Sequence, residues 1–417
     1  MTQYANNELT RLLHLNKISK SPILKLSDIN LVEFPDLSEL TWITDLDVSK
    51  NFVTSIRHQL LPPNLTRLDL SHNKIVYFIN VIIPKTLVFL YLNNNQLISF
   101  NGRQYESIKY LDVSNNGINY ITFPPNLEHA IINNNKLTRS PSQNLPSTLI
   151  TLDLGKNKLT DVPNFNSNLK TLLLNDNELS RALFISLPLM LSTLDLSNNE
   201  LTKFPNLNIN LKTLLLSGNN LDEIPKITVQ LEKLDISNNI SIYELVNPLP
   251  PTLIHLDAST CFIDKITSIL PIGLEHLNLS HNELKEMPEL PNNIKYVDVS
   301  SNNITAISEI IPESLTELNI SGNQLETQEN LMYKTNLKVI NLPRISINGT
   351  RNVEYNTTYP LSGYKKKNNK NKHKNFNNTY FTSNKTEWAN DNYTPIVTPT
   401  KNQSLCISQH FTKHYDV

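Results

Sequence analysis

Apolar residues recur along the chain at fixed offsets from polar ones, and residues 284–304 show this pattern most clearly. The stretch reads LKEMPELPNNIKYVDVSSNNI. Its apolar positions and one Asn follow each other at offsets of three, two, three and two, at Ile294, Val297, Val299, Asn302 and Ile304. Apolar side chains two residues apart lie on one face of a strand. The pattern therefore predicts one short strand followed by a return segment.

The same arrangement recurs through most of the chain with a spacing of 19 to 22 residues. A unit of this length is too small to bury its apolar side chains alone, so neighbouring units must stack and share one core. The Asn side chain carries both donors and an acceptor, so at the bend it can satisfy backbone groups that the turn leaves unpaired. The predicted Asn ladder, with Cys at one position, consists of Asn51, Asn73, Asn95, Asn116, Asn135, Asn157, Asn177, Asn199, Asn219, Asn239, Cys261, Asn282, Asn302 and Asn323.

The spacing of these positions resembles the L-x-x-L-x-L-x-x-N-x-L consensus of the leucine-rich repeat family. The resemblance covers about residues 23–347. It implies an α/β leucine-rich repeat solenoid, curved, with a parallel β-sheet on its concave face. Because the repeats are short, we expect 3-10 turns or polyproline II segments on the convex face. The family also accepts Cys at the Asn position, so Cys261 is predicted to be a buried structural thiol.

Proline supports this interpretation of the return segments. The run EMPELP at residues 286–291 resembles the bacterial-effector class of short leucine-rich repeats. The Asn, Ile and Lys-rich composition is also similar to that of leucine-rich repeat proteins of amoebae and their large DNA viruses. Prolines stand three residues before the first Leu of a repeat at Pro62, Pro84, Pro124, Pro146, Pro188, Pro250, Pro271, Pro291 and Pro312.

The periodicity divides the chain into three segments. Residues 1–22 carry apolar side chains at helical spacing, enough for a short amphipathic turn or two, and are predicted to be an N-terminal cap. Residues 23–349 are predicted to form an array of about 16 repeats, with atypical repeats at both ends. Residues 350–417 lose the apolar pattern and are predicted to be a disordered Lys/Asn-rich tail. Glycine is scarce, at 8 residues, so we expect Asn to serve the turns that need left-handed backbone.

Targeting signals and cysteine usage indicate the compartment. The N-terminal segment lacks the apolar run of a secretory signal, and no stretch approaches the 18 or so apolar residues of a membrane span. The chain has 2 cysteines, too few for a disulfide framework. We therefore expect a cytoplasmic protein, placed in the host cytoplasm if the chain comes from a virus or pathogen.

An acidic stripe is predicted on the concave face, because the residue between the second and third Leu positions is usually Asp. Stacked strands place equivalent residues about 4.8 Å apart. Such a stripe would favour a basic partner segment; alternatively, Leu-Asp-Leu-Ser is simply the family consensus and keeps the sheet hydrated. The acidic candidates for partner binding are Asp69, Asp112, Asp153, Asp195, Asp235 and Asp257.

Aromatic residues interrupt the stripe at Tyr91, beside Phe89 on the same strand and Tyr110 on the next. Aromatic side chains exposed on a concave face are typical of binding hot spots. The alternative is that these rings pack on one another or lie beneath the basic tail.

Catalytic and metal-binding motifs do not emerge from the sequence. His255 and His276 occupy matching positions on consecutive repeats, but a metal site would need a third well-placed ligand and a second shell. The sequence contains no HExxH, no GxxxxGK[ST] and no Gly-rich phosphate loop. We therefore predict no enzyme activity, no cofactor and no metal.

The net charge of -1 conceals an asymmetry, because residues 351–417 hold ten Lys or Arg against four Asp or Glu. The lysine run could bind nucleic acid or an anionic surface, fold back on the acidic stripe, or remain an inert solvated tail. Its basic residues are Lys365, Lys366, Lys367, Lys370, Lys372 and Lys374.

The function predicted from the sequence is protein–protein interaction. The chain is expected to be a scaffold or adaptor that binds a protein partner on the concave face, in a host–pathogen setting. The alternative is a binder of nucleic acid or an anionic surface through the basic tail. The sequence predicts neither the partner's identity nor an oligomeric state.

Overall fold

The computed structural model describes residues 3–326, except 57–59, 80, 142–144, 163–164, 166–167, 181–186, 204 and 308–309, together with 339–341 and 356–357. The chain divides into two compact units, Met1–Gly363 and Tyr364–Val417. All described residues belong to the first unit. The predicted basic residues from Lys365 to Lys374 therefore lie outside the described residues.

One helix and a long series of strands two or three residues long make up the described part of the first unit. The helix α1 spans Gln3–Ser19. In chain order the strands are β1 (Ile23–Lys25), β2 (Asp45–Asp47), β3 (Arg67–Asp69), β4 (Phe89–Tyr91), β5 (Ser99–Asn101), β6 (Tyr110–Asp112), β7 (Tyr120–Thr122), β8 (His129–Ile131), β9 (Thr151–Asp153), β10 (Thr171–Leu173), β11 (Thr193–Asp195), β12 (Thr213–Leu215), β13 (Lys233–Asp235), β14 (Glu244–Leu245), β15 (His255–Asp257), β16 (Lys265–Ile266), β17 (His276–Asn278), β18 (Tyr296–Asp298), β19 (Glu317–Asn319), β20 (Val339–Asn341) and β21 (Asn356–Thr357).

Most of these strands form a single 17-stranded sheet. Each strand pairs in parallel with the equivalent strand of the next repeat, so that Leu68 stands between Leu46 and Leu90. The last pairing differs, because β21 runs antiparallel to β20. The predicted solenoid with a parallel sheet is confirmed.

The core runs along the inner side of this sheet. The middle residue of each strand and the apolar residue two positions later point inward, as Leu68 and Leu70 do with no exposed surface. The apolar residue two positions after the Asn, such as Ile75, completes each layer and is equally buried. The layers join into one continuous cluster from Leu9 to Leu325, because no single repeat can bury its own apolar side chains.

The Asn side chains bind each repeat to the one before it. The Asn73 amide Nδ2 donates to the carbonyls of Val48, Leu70 and Ser71 at 3.0, 3.1 and 3.2 Å. Its Oδ1 accepts the backbone N–H of Val53 at 3.0 Å. Val48 and Val53 belong to the preceding repeat, so a single side chain satisfies backbone groups on two layers. The same bonds recur along the Asn ladder, from Asn51 to Asn323.

Cys261 replaces Asn in the ladder with a weaker set of bonds. Its thiol donates to the carbonyls of Ile236 and Ser259 at 3.5 and 3.6 Å. The side chain is 4% exposed, and burial raises the pKa of the thiol to about 12. A thiol with this pKa is almost wholly protonated at neutral pH and is a poor nucleophile.

A left-handed residue stands immediately before every member of the Asn ladder. Five of these residues are Asn, in keeping with the role predicted for Asn in a glycine-poor chain. The others include Thr260, a β-branched residue for which a positive φ is costly. The full set, with φ between 51° and 70°, is Lys50, His72, Asn94, Asn115, Asn134, Lys156, Asp176, Asn198, Gly218, Asn238, Thr260, His281, Ser301 and Gly322.

Tight turns lead many of the return segments back into the sheet. The Pro84 carbonyl accepts the N–H of Leu87, three residues later, at 3.0 Å, which is the bonding pattern of a 3-10 turn. The same bond occurs at Pro124, Pro146, Pro188, Pro250, Pro271, Pro291 and Pro312. Proline fits here because it lies outside the strand and has no N–H to leave unpaired. The short parallel pairs β5–β7 and β14–β16 on the return segments were not predicted.

The helix α1 is longer than the turn or two that the sequence pattern predicts. Asn16, near its C-terminal end, is 6% exposed. Its amide donates to the carbonyls of Ser21 and Ile23, both at 3.1 Å, and its Oδ1 accepts the indole N–H of Trp42 at 2.9 Å. The Lys20 ammonium lies 3.3 Å from the centre of the Trp42 ring. The helix is thereby fixed against the first strand.

Candidate functional site

The open sheet face is the side of the main sheet that carries the first and third residue of each strand. The middle residue points into the core, so its neighbours must point the other way. The third residues form one column across the strands, which we call the acid column. It contains every Asp predicted to bind a partner, together with Tyr91.

Each Asp of the acid column is tied to the chain just beyond its strand. In the case of Asp195, Oδ1 accepts the backbone N–H and the hydroxyl of Ser197 at 2.8 and 2.6 Å. Asp235 holds Ser237 in the same way. These bonds place one carboxylate oxygen in the turn that leads to the Asn ladder, so the Asp has a structural role in addition to any role in binding.

Most of the acid column is more buried than the predicted stripe. Asp195 is 2% exposed and Asp112 is 9% exposed. Burial raises the pKa of each of these two carboxyls to about 6, against the bonds from the nearby Ser, which lower it. The pKa of Asp257 is also raised, first by burial and then by the charge of Asp235 on the adjacent strand. The carboxyls of Asp112, Asp195 and Asp257 are therefore recessed and less acidic than an exposed Asp.

The second carboxylate oxygens fall into two groups. That of Asp69 forms an ion pair with Arg67 at 3.0 Å, and that of Asp153 accepts the amide of Asn133 at 2.6 Å. Among the described residues, no side chain or backbone donor reaches the second oxygen of Asp112 or Asp195. These two oxygens are available to a donor from outside the chain.

The three aromatic residues predicted to bind a partner lie together on this face. The Tyr110 ring centre is 5.2 Å from that of Tyr91, 6.1 Å from that of Phe89 and 6.2 Å from that of His129. Tyr91 and Tyr110 are 3% and 4% exposed. The expectation that their rings are exposed is wrong, because each ring covers the next.

Both tyrosine hydroxyls in this cluster lack a hydrogen-bond partner within the described part of the chain, although both are buried. Burial raises the pKa of Tyr91 to about 12 and that of Tyr110 further still. A buried hydroxyl without a partner carries an energetic cost that a bound ligand can remove.

Arg67 is a member of this site that the sequence analysis missed. Its guanidinium bonds to Asp45 and Asp69, each at 3.0 Å, and lies 4.7 Å from the centre of the Tyr91 ring. Its Nε has no partner in the described structure. Placing the first residues of successive strands side by side would have found it, because Asp45, Arg67 and Phe89 are in register.

A second cluster lies further along the same face. The rings of His255 and His276 stack with centres 4.4 Å apart, and Tyr296 follows at 6.1 Å from His276. The pKa of His255 is lowered to about 4 by burial, and then by the charges of His276 and Lys233. No three His, Cys, Asp or Glu side chains in the described structure come together in a way that could hold a metal ion.

Comparisons with known proteins agree with this architecture. Two family models match short stretches, a "Leucine Rich repeat" model at residues 62–75 and 312–328 and a "Leucine Rich Repeat" model at residues 210–228 and 273–294. A structure of YopM from Yersinia pestis, described as a leucine-rich effector protein, is similar with 26% identity and a TM-score of 0.62, over 76% of this chain and 93% of that one. The chain has the leucine-rich repeat fold.

Two further structures resemble this solenoid. YopM from Yersinia enterocolitica WA-314 is 25% identical with a TM-score of 0.50, over 80% of this chain and 86% of that one. A leucine-rich repeat protein of Leptospira interrogans is 21% identical with a TM-score of 0.54, over 79% and 88% of the two chains, and shows the fold alone. No curated protein matches the chain. The similarity to proteins of amoebae and their viruses stays a prediction.

The leucine-rich repeat fold typically serves as a binding scaffold without enzyme activity. None of the helices in the described part of the chain has the length and apolarity that a membrane crossing requires.

Proposed function

We propose that the chain is a scaffold or adaptor that binds a protein partner on the open sheet face. The observation that carries this proposal is the cluster of Phe89, Tyr91 and Tyr110, whose two buried hydroxyls have no partner among the described residues. Tyrosine suits such a role, because it adds large contact area and a polar tip at low entropic cost.

The experiment is a pull-down from a host lysate with the intact chain and a variant in which Phe89, Tyr91 and Tyr110 are changed to Ala. We expect the intact chain to capture a specific protein and the variant to lose it. A matched control changes Tyr77 and Tyr120, which are 56% and 52% exposed and lie outside the acid column and its aromatic cluster, to Ala. Equal capture by the intact chain and both variants would reject the open sheet face as the binding surface.

A second variant separates binding from folding, because truncating two buried rings to Ala can destabilise the array. Tyr91→Phe with Tyr110→Phe keeps both rings and removes only the hydroxyls. We expect this variant to keep the circular dichroism spectrum of the intact chain and to bind the captured partner about tenfold more weakly.

The setting that we propose is host–pathogen contact in the cytoplasm of a host cell. The support is the similarity to the two YopM structures, of which the Yersinia pestis protein is described as an effector. Expression of the tagged chain in host cells followed by fractionation would test the compartment, and recovery with membranes or nuclei would contradict it. In the pull-down, capture that nuclease or high salt removes equally from all variants would favour binding through the basic residues 365–374 instead.

A further inference from the structure

The acid column alternates strictly between Asp and a large apolar residue over nine consecutive strands. Its members in order are Asp69, Tyr91, Asp112, Ile131, Asp153, Leu173, Asp195, Leu215 and Asp235. Beyond Asp235 the alternation stops, because the next member is Asp257. We call the nine residues the alternating floor.

The alternation fixes the distance between successive carboxylates of the alternating floor. Adjacent strands are about 4.8 Å apart, so successive carboxylates of the alternating floor repeat about every 9.6 Å. Each carboxylate is separated from the next by an apolar side chain in the same column. A complementary segment that lies across the strands must present a basic group at this interval and small or apolar groups between.

Polyproline II is the regular conformation that fits this interval. Three residues of polyproline II advance about 9.3 Å and return to the same face. Two turns of α-helix, the nearest helical match, advance about 10.5 Å over seven residues. In an extended strand, side chains on the same face are about 6.8 Å apart, or about 13.6 Å apart for every second one. Over the four intervals of the floor, polyproline II drifts by about 1 Å and a helix by almost 4 Å.

Charge and hydrogen bonding select a basic segment. The Arg67 charge is already matched by Asp45 and Asp69, whereas Asp112 and Asp195 have no cation bonded to them among the described residues. Within the described ranges, the second oxygens of both lack donors, and the two residues are four strands apart. Tyr91 and Tyr110, at 3% and 4% exposed, add two buried hydroxyls beside the floor that have no partner in the described structure.

Arg67 shows within the chain how such a group would sit. Its guanidinium is held by carboxylates of two strands and lies over a tyrosine ring at 4.7 Å. An Arg or Lys from outside would meet the same chemistry further along the floor, with its aliphatic stem on Ile131, Leu173 or Leu215 and its charged end on the next Asp.

We propose that the alternating floor binds a polyproline II segment of the protein partner that carries Arg or Lys at every third position. This proposal rests on the proposed function, and it gives the partner's chemistry: a basic residue in every third place, with proline or small apolar residues between.

The test uses two fluorescent peptides of identical composition with the full chain. One repeats Arg-Pro-Pro, and the other places all its Arg residues in one block before all its Pro residues. We expect the periodic peptide to bind about tenfold more tightly than the block peptide in fluorescence anisotropy at physiological salt. Equal affinities would overturn the proposal, because they would indicate charge attraction without register. Failure of both peptides to bind would overturn it as well.

Variants of one column supply the controls. Asp195→Asn removes a charge of the floor, and we expect it to lower the affinity for the periodic peptide about fivefold. Asp298→Asn makes the same change in the acid column beyond the floor and should leave the affinity unchanged. Asn already occupies this column at Asn278, where its Oδ1 accepts the Ser280 N–H at 3.0 Å, so both variants should fold. An equal loss in both would contradict the assignment to the floor.

Leu173→Asp tests the register directly, because it adds charge while breaking the alternation. A periodic segment should lose its advantage over the block peptide, although both peptides gain attraction. A larger advantage would overturn the proposal.

The chain's own lysine run is the competing occupant, since Lys367 and Lys370 are also three residues apart. If the double substitution Lys367→Gln and Lys370→Gln raises the affinity for the periodic peptide severalfold, the occupant is this segment of the chain. The assignment to a partner is then wrong. If the pull-down captures a protein but the two peptides bind equally, the proposed function stands and this inference fails.

Discussion

Folding buries the carboxyl of Asp195 and thereby disfavours its ionised form. One oxygen serves the turn at Ser197, and the neighbours in the column are Leu173 and Leu215. Burial raises the pKa from its ordinary value of 3.8 to about 6. Between these values the folded chain binds more protons than the unfolded one, so the contribution of Asp195 to stability falls as the pH rises through this window.

Asp195→Asn should therefore change the pH dependence of stability. Asn keeps an oxygen for the Ser197 N–H and cannot ionise, so the variant should be more stable than the parent at pH 8, by about 1–3 kcal/mol. At pH 4 the difference should nearly vanish. Urea unfolding at several pH values measures it, and a constant difference across this range would contradict the assigned cause. Asp36→Asn, at an exposed Asp, is the control.

Thr260 is a second residue whose local conformation is unfavourable. It is exposed and has a φ of 54°, whereas Asn238, at the same position one repeat earlier, has the same φ. Thr260→Asn should stabilise the chain by about 0.5–1 kcal/mol, because Asn tolerates left-handed backbone. The reverse change, Asn238→Thr, should lower the midpoint of urea unfolding. If both changes move the midpoint in the same direction, backbone strain is not the cause.

The residue scale also shows where sequence reasoning succeeds. The position of the Asn ladder follows from spacing alone, because one side chain in each repeat must serve the backbone at the bend. The burial of Tyr91 and the pairing of Arg67 depend on side chains about 20 residues away on adjacent strands. Those contacts become visible only when the repeats are aligned as columns.

At the scale of elements, the strands were predictable and the helix and return segments less so. The strand pattern has a period of two and recurs with every repeat, so each repeat supports the assignment of the others. The helix α1 occurs once, and its last turn depends on Asn16 bonding to Ser21, Ile23 and Trp42. No local pattern in the sequence predicts that Asn16 bonds to these residues.

Asn16→Ala should loosen the join between α1 and the sheet. The change leaves the carbonyls of Ser21 and Ile23 and the indole of Trp42 without their partner, at a cost of about 2–3 kcal/mol. We expect faster amide exchange in residues 16–26, measured by mass spectrometry, and little change beyond residue 70. Glu8→Ala, on the same helix and paired with the exposed Arg11, is the control. Uniform acceleration along the array would contradict a local role.

At the scale of the whole molecule, stability is expected to be a sum of repeats and of the interfaces between them. Leu24 and Leu172 are equivalent core residues, 2% and 0% exposed, in a terminal and an internal strand. Either one changed to Ala should cost about 2–5 kcal/mol locally.

The two substitutions should differ in how far their effect travels. Leu24→Ala should accelerate amide exchange in α1 and the first two strands only, because those are the elements that contact this layer. Leu172→Ala should accelerate it on both sides and divide urea unfolding into two transitions. A single unchanged transition for both variants would show that the array unfolds as one unit.

The Asn ladder also gives the molecule a mechanical direction. Asn73 holds backbone groups of the layer before it, Val48 and Val53, and each later Asn does the same for its predecessor. A force applied at the C-terminal side removes a layer together with the Asn that bonds to the preceding layer, so each layer removed leaves the next one less firmly held. A force applied at the N-terminal side acts first on α1 and then on layers that are still bonded to the Asn of the following repeat. The array is therefore expected to resist pulling more strongly from one end than from the other.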